Sequence, residues 1–264
     1  MLRDITLGQY YNGDSIIHRL DPRTKIFFTF AYLIMLFMVD NFKGIVFMTA
    51  VVTGVIIISK VPFRYIFKGL KAIIYIIIIT VFFKLFFSTS GNVVWQWKFL
   101  KITDEGAKEA VFIAVRFVLI VIGTSIMTLT TTPNSLTAGL EKSLRFLSYI
   151  KVPVHEIALM MSIALRFIPV LMEETNKIMK AQTARGADFE SGGIMRKAKA
   201  MVPIIVPLFV SAFRKANDLA TAMDARCYHG GNERTKLHPL HYMKADGVAY
   251  VLVAVMVGCC VFVL

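Results

Sequence analysis

Long apolar runs separated by short charged segments dominate this chain, and their lengths set the first expectation. Crossing a hydrocarbon core of ~30 Å takes ~20 apolar residues. Five runs come near that length, at residues 26–39, 42–58, 73–87, 110–129 and 247–264. The first and third are short, but Arg23, Lys25, Lys71 and Lys84 flank or end them. Such cationic stems lie along apolar surface while their heads reach polar surroundings, so both runs are read as spans.

Between the fourth and fifth runs the pattern changes. Residues 157–172 and 202–213 are apolar, yet Arg166, Pro169, Pro203 and Pro207 interrupt them, which makes them poor spans. Each opens a longer helical pattern, over about 155–185 and 196–226. The later halves carry Glu173, Glu174, Lys177 and Lys180 in one and Arg214, Lys215, Asp218 and Asp224 in the other. A helix of that kind suits a membrane surface, its apolar half on membrane helices and its charged half in water. At ~1.5 Å per residue each strut would reach roughly 45 Å, with kinks expected at the prolines. A shorter helix over 134–149 precedes them, with Thr132-Pro133 as its start and Pro153 as its stop.

The expected fold class is therefore all-α. It is a polytopic membrane protein of about five transmembrane helices, with a cytoplasmic domain of about three amphipathic coupling helices between the fourth and fifth. The divisions fall at residues 1–130, 131–245 and 246–264.

Composition agrees with lipid as part of the solvent: 56% of the 264 residues are hydrophobic, above the roughly 45 to 50% of ordinary globular chains. Thirty Lys and Arg oppose 17 Asp and Glu, a net charge of +13, and the location of that excess gives orientation. Arg3, Arg19, Arg23 and Lys25 precede the first run, and Lys60, Arg64, Lys68 and Lys71 fill the second loop, so both are expected in the cytoplasm. The first loop has one basic residue, Lys43, and residues 88–109 balance basic against acidic side chains. These two loops are expected outside, with Trp95 and Trp97 as interfacial anchors. Residues 131–245 then lie inside and hold 16 basic residues against nine acidic ones. Basic residues spread along amphipathic struts beside a bilayer argue against nucleic acid as the partner.

Cys227, Cys259 and Cys260 form neither a disulfide framework nor metal spacing, and a reducing interior suits them. No apolar run precedes Lys25, so no cleavable secretory signal is expected.

The chemistry-bearing motifs are few. Both struts end in A-x-x-A-R, at Ala181 to Arg185 and Ala222 to Arg226, 41 residues apart. One arginine in a last helical turn is ordinary, since it favours the helix dipole, and Gly186 after it is a common C-cap. Its repetition points further. Small flanking residues leave a long guanidinium clear to enter a concave partner surface, where its planar fork bonds carboxylates and carbonyls together. Two equivalent tips suggest a dimeric or pseudo-dimeric partner.

Before the first span, Asp21 reads as an N-cap, Pro22 as the first helical residue, and Arg23 and Lys25 as contacts to phosphate headgroups. Arg116 and Lys84 lie inside apolar runs but close enough to their ends to snorkel. His155-Glu156 begins an HExxH pattern that Leu159 breaks, and no G-x-x-x-x-G-K-[ST] is present. His229, His238 and His241 lack acidic or Cys partners at metal spacing and read as solvated loop histidines.

Three further stretches carry a resemblance: Thr130-Thr131-Thr132-Pro133; Ala158 through Pro169, reading ALMMSIALRFIP; and Ala184-Arg185-Gly186-Ala187-Asp188-Phe189-Glu190-Ser191-Gly192. With HRLDPRTK from His18 and PLFVSAFR from Pro207, they resemble the transmembrane T component of energy-coupling factor transporters over nearly the whole chain. The resemblance implies a membrane scaffold of a prokaryotic ATP-driven importer. It would hold two ABC-type ATPase subunits, expected to be two different chains from the nonidentical docking tips, and a small substrate-binding S component that captures a vitamin or metal ion. It would bind no cofactor itself, ATP and Mg belonging to the ATPases. It also implies ATPase docking through X-Arg-X motifs, which here are Ala184-Arg185-Gly186 and Ala225-Arg226-Cys227. The second departs from the usual Ala-Arg-Gly, so its helix end is expected to be capped differently, by Gly230 or Gly231. Rival readings are a channel with Arg116 and Lys84 at its selective points, and a membrane enzyme using His155 and Glu156.

Overall fold

The computed structural model describes residues 10–87, 93–97, 100–189, 193–230 and 239–263. Arg3, Glu190, Ser191, Gly192, Gly231, His238 and Leu264, all used in the sequence reading, lie outside these, as do the side chains of Trp95 and Trp97. Among the described residues the chain is helical except for one short hairpin, and it divides into two compact units. The first comprises residues 1–143 and 240–264, the second residues 144–239.

Local chemistry sets the helix starts of the first unit. Ser15 caps α1 (Ile16–Arg19), its side chain accepting from the His18 backbone N–H. Asp21 caps α2 (Pro22–Met38), accepting from Arg23 N at 2.9 Å, with Pro22 at the first helical position. Then come α3 (Phe42–Ser59), closed by Lys60 in the left-handed region, and α4 (Phe63–Phe87), which bends by 58° between Lys71 and Ile73. The loop expected outside contains a hairpin, β1 (Val93–Trp97) against β2 (Leu100–Thr103). Their valines, tryptophans, isoleucine and threonine are good strand formers. Thr103 then caps α5 (Asp104–Thr130) by accepting from Gly106 N at 3.1 Å.

The core of this unit joins α2, α3 and α5 with the last helix, through Tyr32, Leu36, Met48, Leu119, Leu129 and Met256 among others. Gly123 lets α5 approach: a Cβ there would fall 2.4 Å from the Tyr32 ring, whose hydroxyl donates to the Leu119 carbonyl at 2.9 Å. Phe27, Phe30, Ile34 and Phe37 line an exposed face of α2, the outward apolar surface of a helix in lipid.

The helix expected over 134–149 is shorter, α6 (Pro133–Ser143). Beyond it the chain tightens into a 3-10 turn, Arg145–Ile150, whose Leu144 and Ser148 carbonyls accept from residues three positions on. The second unit contains this turn, α7 (Val154–Ala184) and α8 (Ile194–Asp224); α9 (Lys244–Val263) returns to the first.

By length and composition α3, α5, α7 and most of α8 could cross a membrane, and α4 also if its two halves are one span. That set differs from the sequence reading: it includes both struts and omits α2, of 17 residues, and α9. Each strut holds an 18-residue window apolar enough to pass despite its prolines, whereas α2 falls short on length. Their surroundings set them apart, since only 6% of each apolar window is buried, against 28% in α3 and 22% in α5.

Candidate functional site

The two struts end in the same backbone geometry. At the end of α7, Gly186 N donates to Thr183 O at 3.0 Å and Ala187 N to Gln182 O at 3.0 Å, with Gly186 at φ +87°. At the end of α8, Cys227 N donates to Asp224 O at 2.9 Å and Tyr228 N to Met223 O at 3.1 Å, with Cys227 at φ 56°. Both are Schellman closures, with an arginine at the last turn and the left-handed residue next. The capping expected from Gly230 or Gly231 is therefore corrected. Cys227 itself takes the left-handed position, because the two bonds of the motif fix that φ whatever side chain stands there.

Arg185 and Arg226 are both exposed, and neither guanidinium engages another described residue. Ala184 and Ala225 beside them are exposed and carry no bulk to screen them.

The sequence did not reveal how the struts pair. Gln182 Nε2 donates to Pro203 O at 3.5 Å, and Lys215 Nζ stands 3.6 Å from Glu174 Oε2. Leu159 and Ile163 share a groove with Leu219 and Met223. Along these three levels residue numbers rise on one helix as they fall on the other, so α7 and α8 are antiparallel. Arg185 and Arg226 thus sit at opposite ends of the pair, separated by about 26 residues of helix, or roughly 40 Å. Exposed apolar residues continue along both helices, among them Met160, Met161, Val202, Ile205, Phe209 and Phe213. Such an area calls for a protein or lipid cover.

In the first unit, residues read as headgroup contacts turn inward. Lys25 Nζ donates to Thr130 O at 2.8 Å and His18 O at 3.1 Å, and the residue is buried. Arg23 grips Asp21 through Nε at 3.0 Å and Nη2 at 2.8 Å, and lies over the Tyr242 ring at 3.9 Å. The Asp21 N–H donates to Asp246 at 2.9 Å, and the other Asp246 oxygen accepts from Met243 N at 2.7 Å. Asp246, 1% exposed, is the hub the reading missed. A lone carboxylate in the first turn of an apolar helix is the signal that could have marked it. Burial works against a charged Asp21, but the Arg23 side chain and backbone N–H outweigh it and hold that carboxyl below its ordinary value.

Arg116 and Lys84 are paired rather than aimed along a path. Arg116 Nη2 donates to the Val39 carbonyl and to Asp40 at 3.1 Å, and Lys84 meets Glu109 at 3.0 Å. Glu156 occupies the first turn of α7, where a carboxylate suits the helix dipole. Among the described residues no group of three or more His, Cys, Asp and Glu converges as a metal site.

Comparison with known proteins gives one consistent result. Residues 13–237 match the CbiQ family, described as a cobalt transport protein. The energy-coupling factor transporter transmembrane protein EcfT of Clostridium kluyveri is 52% identical over 258 residues, 97% of this chain and 96% of that protein. Those of Bacillus subtilis and Lactococcus lactis are 46% identical over 246 residues and 43% over 255. The first alignment covers 93% of each chain, the second 97% of this chain and 96% of the relative.

Proposed function

This chain belongs to the CbiQ family and, within it, to the energy-coupling factor transporter transmembrane proteins, and from that premise we propose that two ABC-type ATPases drive it through Arg185 and Arg226. It is accordingly the membrane subunit of a transporter. The observation that carries the proposal is the equivalence of the two strut ends: the same closure and the same exposed arginine, at opposite ends of one antiparallel pair.

In this reading each arginine enters a groove on one ATPase, where its fork bonds carboxylates and carbonyls. The ATPases hold the nucleotide and Mg and carry out hydrolysis, while this chain binds no cofactor and performs no chemistry. Residues 131–245 and the N-terminal segment face the cytoplasm, as the basic residues of the short loops favour.

Closure of the ATPase pair displaces the two tips, and the struts carry that motion to their apolar halves. A substrate-binding S component rests on those exposed faces, and its rigid-body reorientation releases a vitamin or metal ion inside. Tips roughly 40 Å apart give the motion long levers.

Replacing Arg185 and Arg226 together by Ala in the intact complex is expected to strip the ATPases during purification and abolish ATP-driven uptake in liposomes. Full co-purification and full uptake would overturn the proposal.

A further inference from the structure

We propose that the groove beside Arg226 receives one apolar side chain and a neighbouring carboxylate from the ATPase docked at that end, so that the two docking ends are not interchangeable. The inference rests on the docking reading above and adds to it which partner chemistry each end accepts.

The groove has a volume of about 440 Å³, within the 300 to 1,000 Å³ typical of ligand pockets. Its walls are Leu159 and Ile163 from the early turns of α7 and Leu219 and Met223 from the last turns of α8. Arg226 and His229 also line it. The groove is therefore continuous with the docking tip, because Arg226 belongs to both. An occupant must be apolar where it enters and acidic where it meets the guanidinium and the imidazole.

Equivalent positions at the other end differ in kind. Counting back 41 residues, Met223 corresponds to Gln182, Cys227 to Gly186 and His229 to Asp188. Gln182 turns its amide to the Pro203 carbonyl and offers no apolar wall. One arginine thus follows an amide engaged between the struts, the other a thioether in a groove that His229 also lines. A segment carrying an aliphatic or aromatic residue beside Asp or Glu finds its seat at the Arg226 end, and Gln182 offers it no matching seat at the Arg185 end.

The test uses the complete transporter, purified with both ATPases and the S component. Met223→Trp fills the groove, and Gln182→Trp is its matched control. Met223→Trp is expected to lower, at least tenfold, recovery of the same single ATPase copy that Arg226→Ala loses, while Gln182→Trp keeps both. His229→Asp is expected to act like Met223→Trp. If Met223→Trp keeps both ATPases while Arg226→Ala loses one, the groove is not a receptor and docking by the arginine stands. If Arg226→Ala loses none, the docking reading itself fails.

Leu219→Trp fills the same groove one turn away and is carried in parallel. Should neither filled variant fold, the native chain decides through Cys227, which is exposed and lines the groove. Its labelling by maleimide must slow at least tenfold in the complex relative to the lone chain, and an unchanged rate overturns the inference.

Discussion

Gln182 donates its side-chain amide to the backbone carbonyl of Pro203, the one oxygen of that helical turn that its own helix cannot serve. The normal donor would be the N–H four residues on, but that residue is Pro207, which has none. The bond lies at the long limit, 3.5 Å, and is exposed, so its net value is about 0.5 kcal/mol. A double-mutant cycle isolates it. Gln182→Ala is expected to lower stability to thermal unfolding in detergent by about that amount in the native background. It should cost close to nothing once Pro207→Ala restores the backbone donor. Equal losses in both backgrounds would show that Gln182 acts elsewhere.

The paired helix ends differ in the residue held at positive φ. Gly186 accepts φ +87° without cost, whereas Cys227 at φ 56° brings its Cβ toward a carbonyl, at roughly 1 kcal/mol. Cys227→Gly is therefore expected to stabilise the chain by about 0.5 to 1 kcal/mol, and Gly186→Ala to destabilise it by about 1 kcal/mol or slightly more. Thermal melts of the two variants should move in opposite directions. Movement in the same direction would contradict the shared closure.

Much of the architecture was legible because its causes are local. Asp21-Pro22 marks the start of α2, A-x-x-A-R marks two helix ends, and five apolar runs mark helices. What was missed is held by distant partners. Lys25 looked like a headgroup contact because its carboxyl-free partners are backbone carbonyls, and Arg23 because Asp21, two residues away, was already assigned to capping. Lys25 finds Thr130, 105 residues away, and Asp21 finds Asp246, 225 residues away. The antiparallel pairing of the struts rests on three such contacts, none of which leaves a period in the sequence. The lysine-flanked first span reads the same whether its cations face lipid or fold inward.

Those two readings of Lys25 predict different magnitudes. A cation on an exposed headgroup contributes little, below about 1 kcal/mol. A buried ammonium serving the Thr130 and His18 carbonyls leaves both unpaired when removed. Lys25→Met, similar in shape but without donors, is expected to cost about 2 to 3 kcal/mol. Unfolding of the purified chain by denaturing detergent measures the difference, and a loss under 0.5 kcal/mol would favour the headgroup reading.

His18 predicts a pH dependence. Ser15 Oγ lies 2.7 Å from its Nδ1, and its Nε2 lies 3.1 Å from the Tyr11 carbonyl. Burial disfavours the charged ring more than that carbonyl favours it, and Lys25 adds repulsion, so the pKa falls below 6.5. A base whose folded pKa is lowered binds its proton better unfolded, so stability is greatest above pH 6.5 and declines as pH falls from there to the folded pKa. Melting temperatures from pH 7.5 down to 5 should therefore drop more steeply for the native chain than for His18→Gln. Parallel curves would remove His18 as the cause.

The separation of Arg185 and Arg226 makes the single substitutions as informative as the double. Were the tips adjacent, both guanidinia could enter one ATPase surface, and losing either would weaken the same contact. Antiparallel packing places them roughly 40 Å apart, too far for a shared groove. Each single charge reversal, Arg185→Glu or Arg226→Glu, should therefore release one ATPase copy and leave the other bound. A carboxylate at the tip repels the acidic groups that an arginine selects, at a cost of several kcal/mol. Recovery per chain should fall from two ATPase copies toward one in each single variant and toward zero in the double. Uptake, which needs both ATPases to close on each other, should already be lost in the singles. A single variant that releases both copies together would mean that one tip alone carries the docking, and the two-ended account would fail.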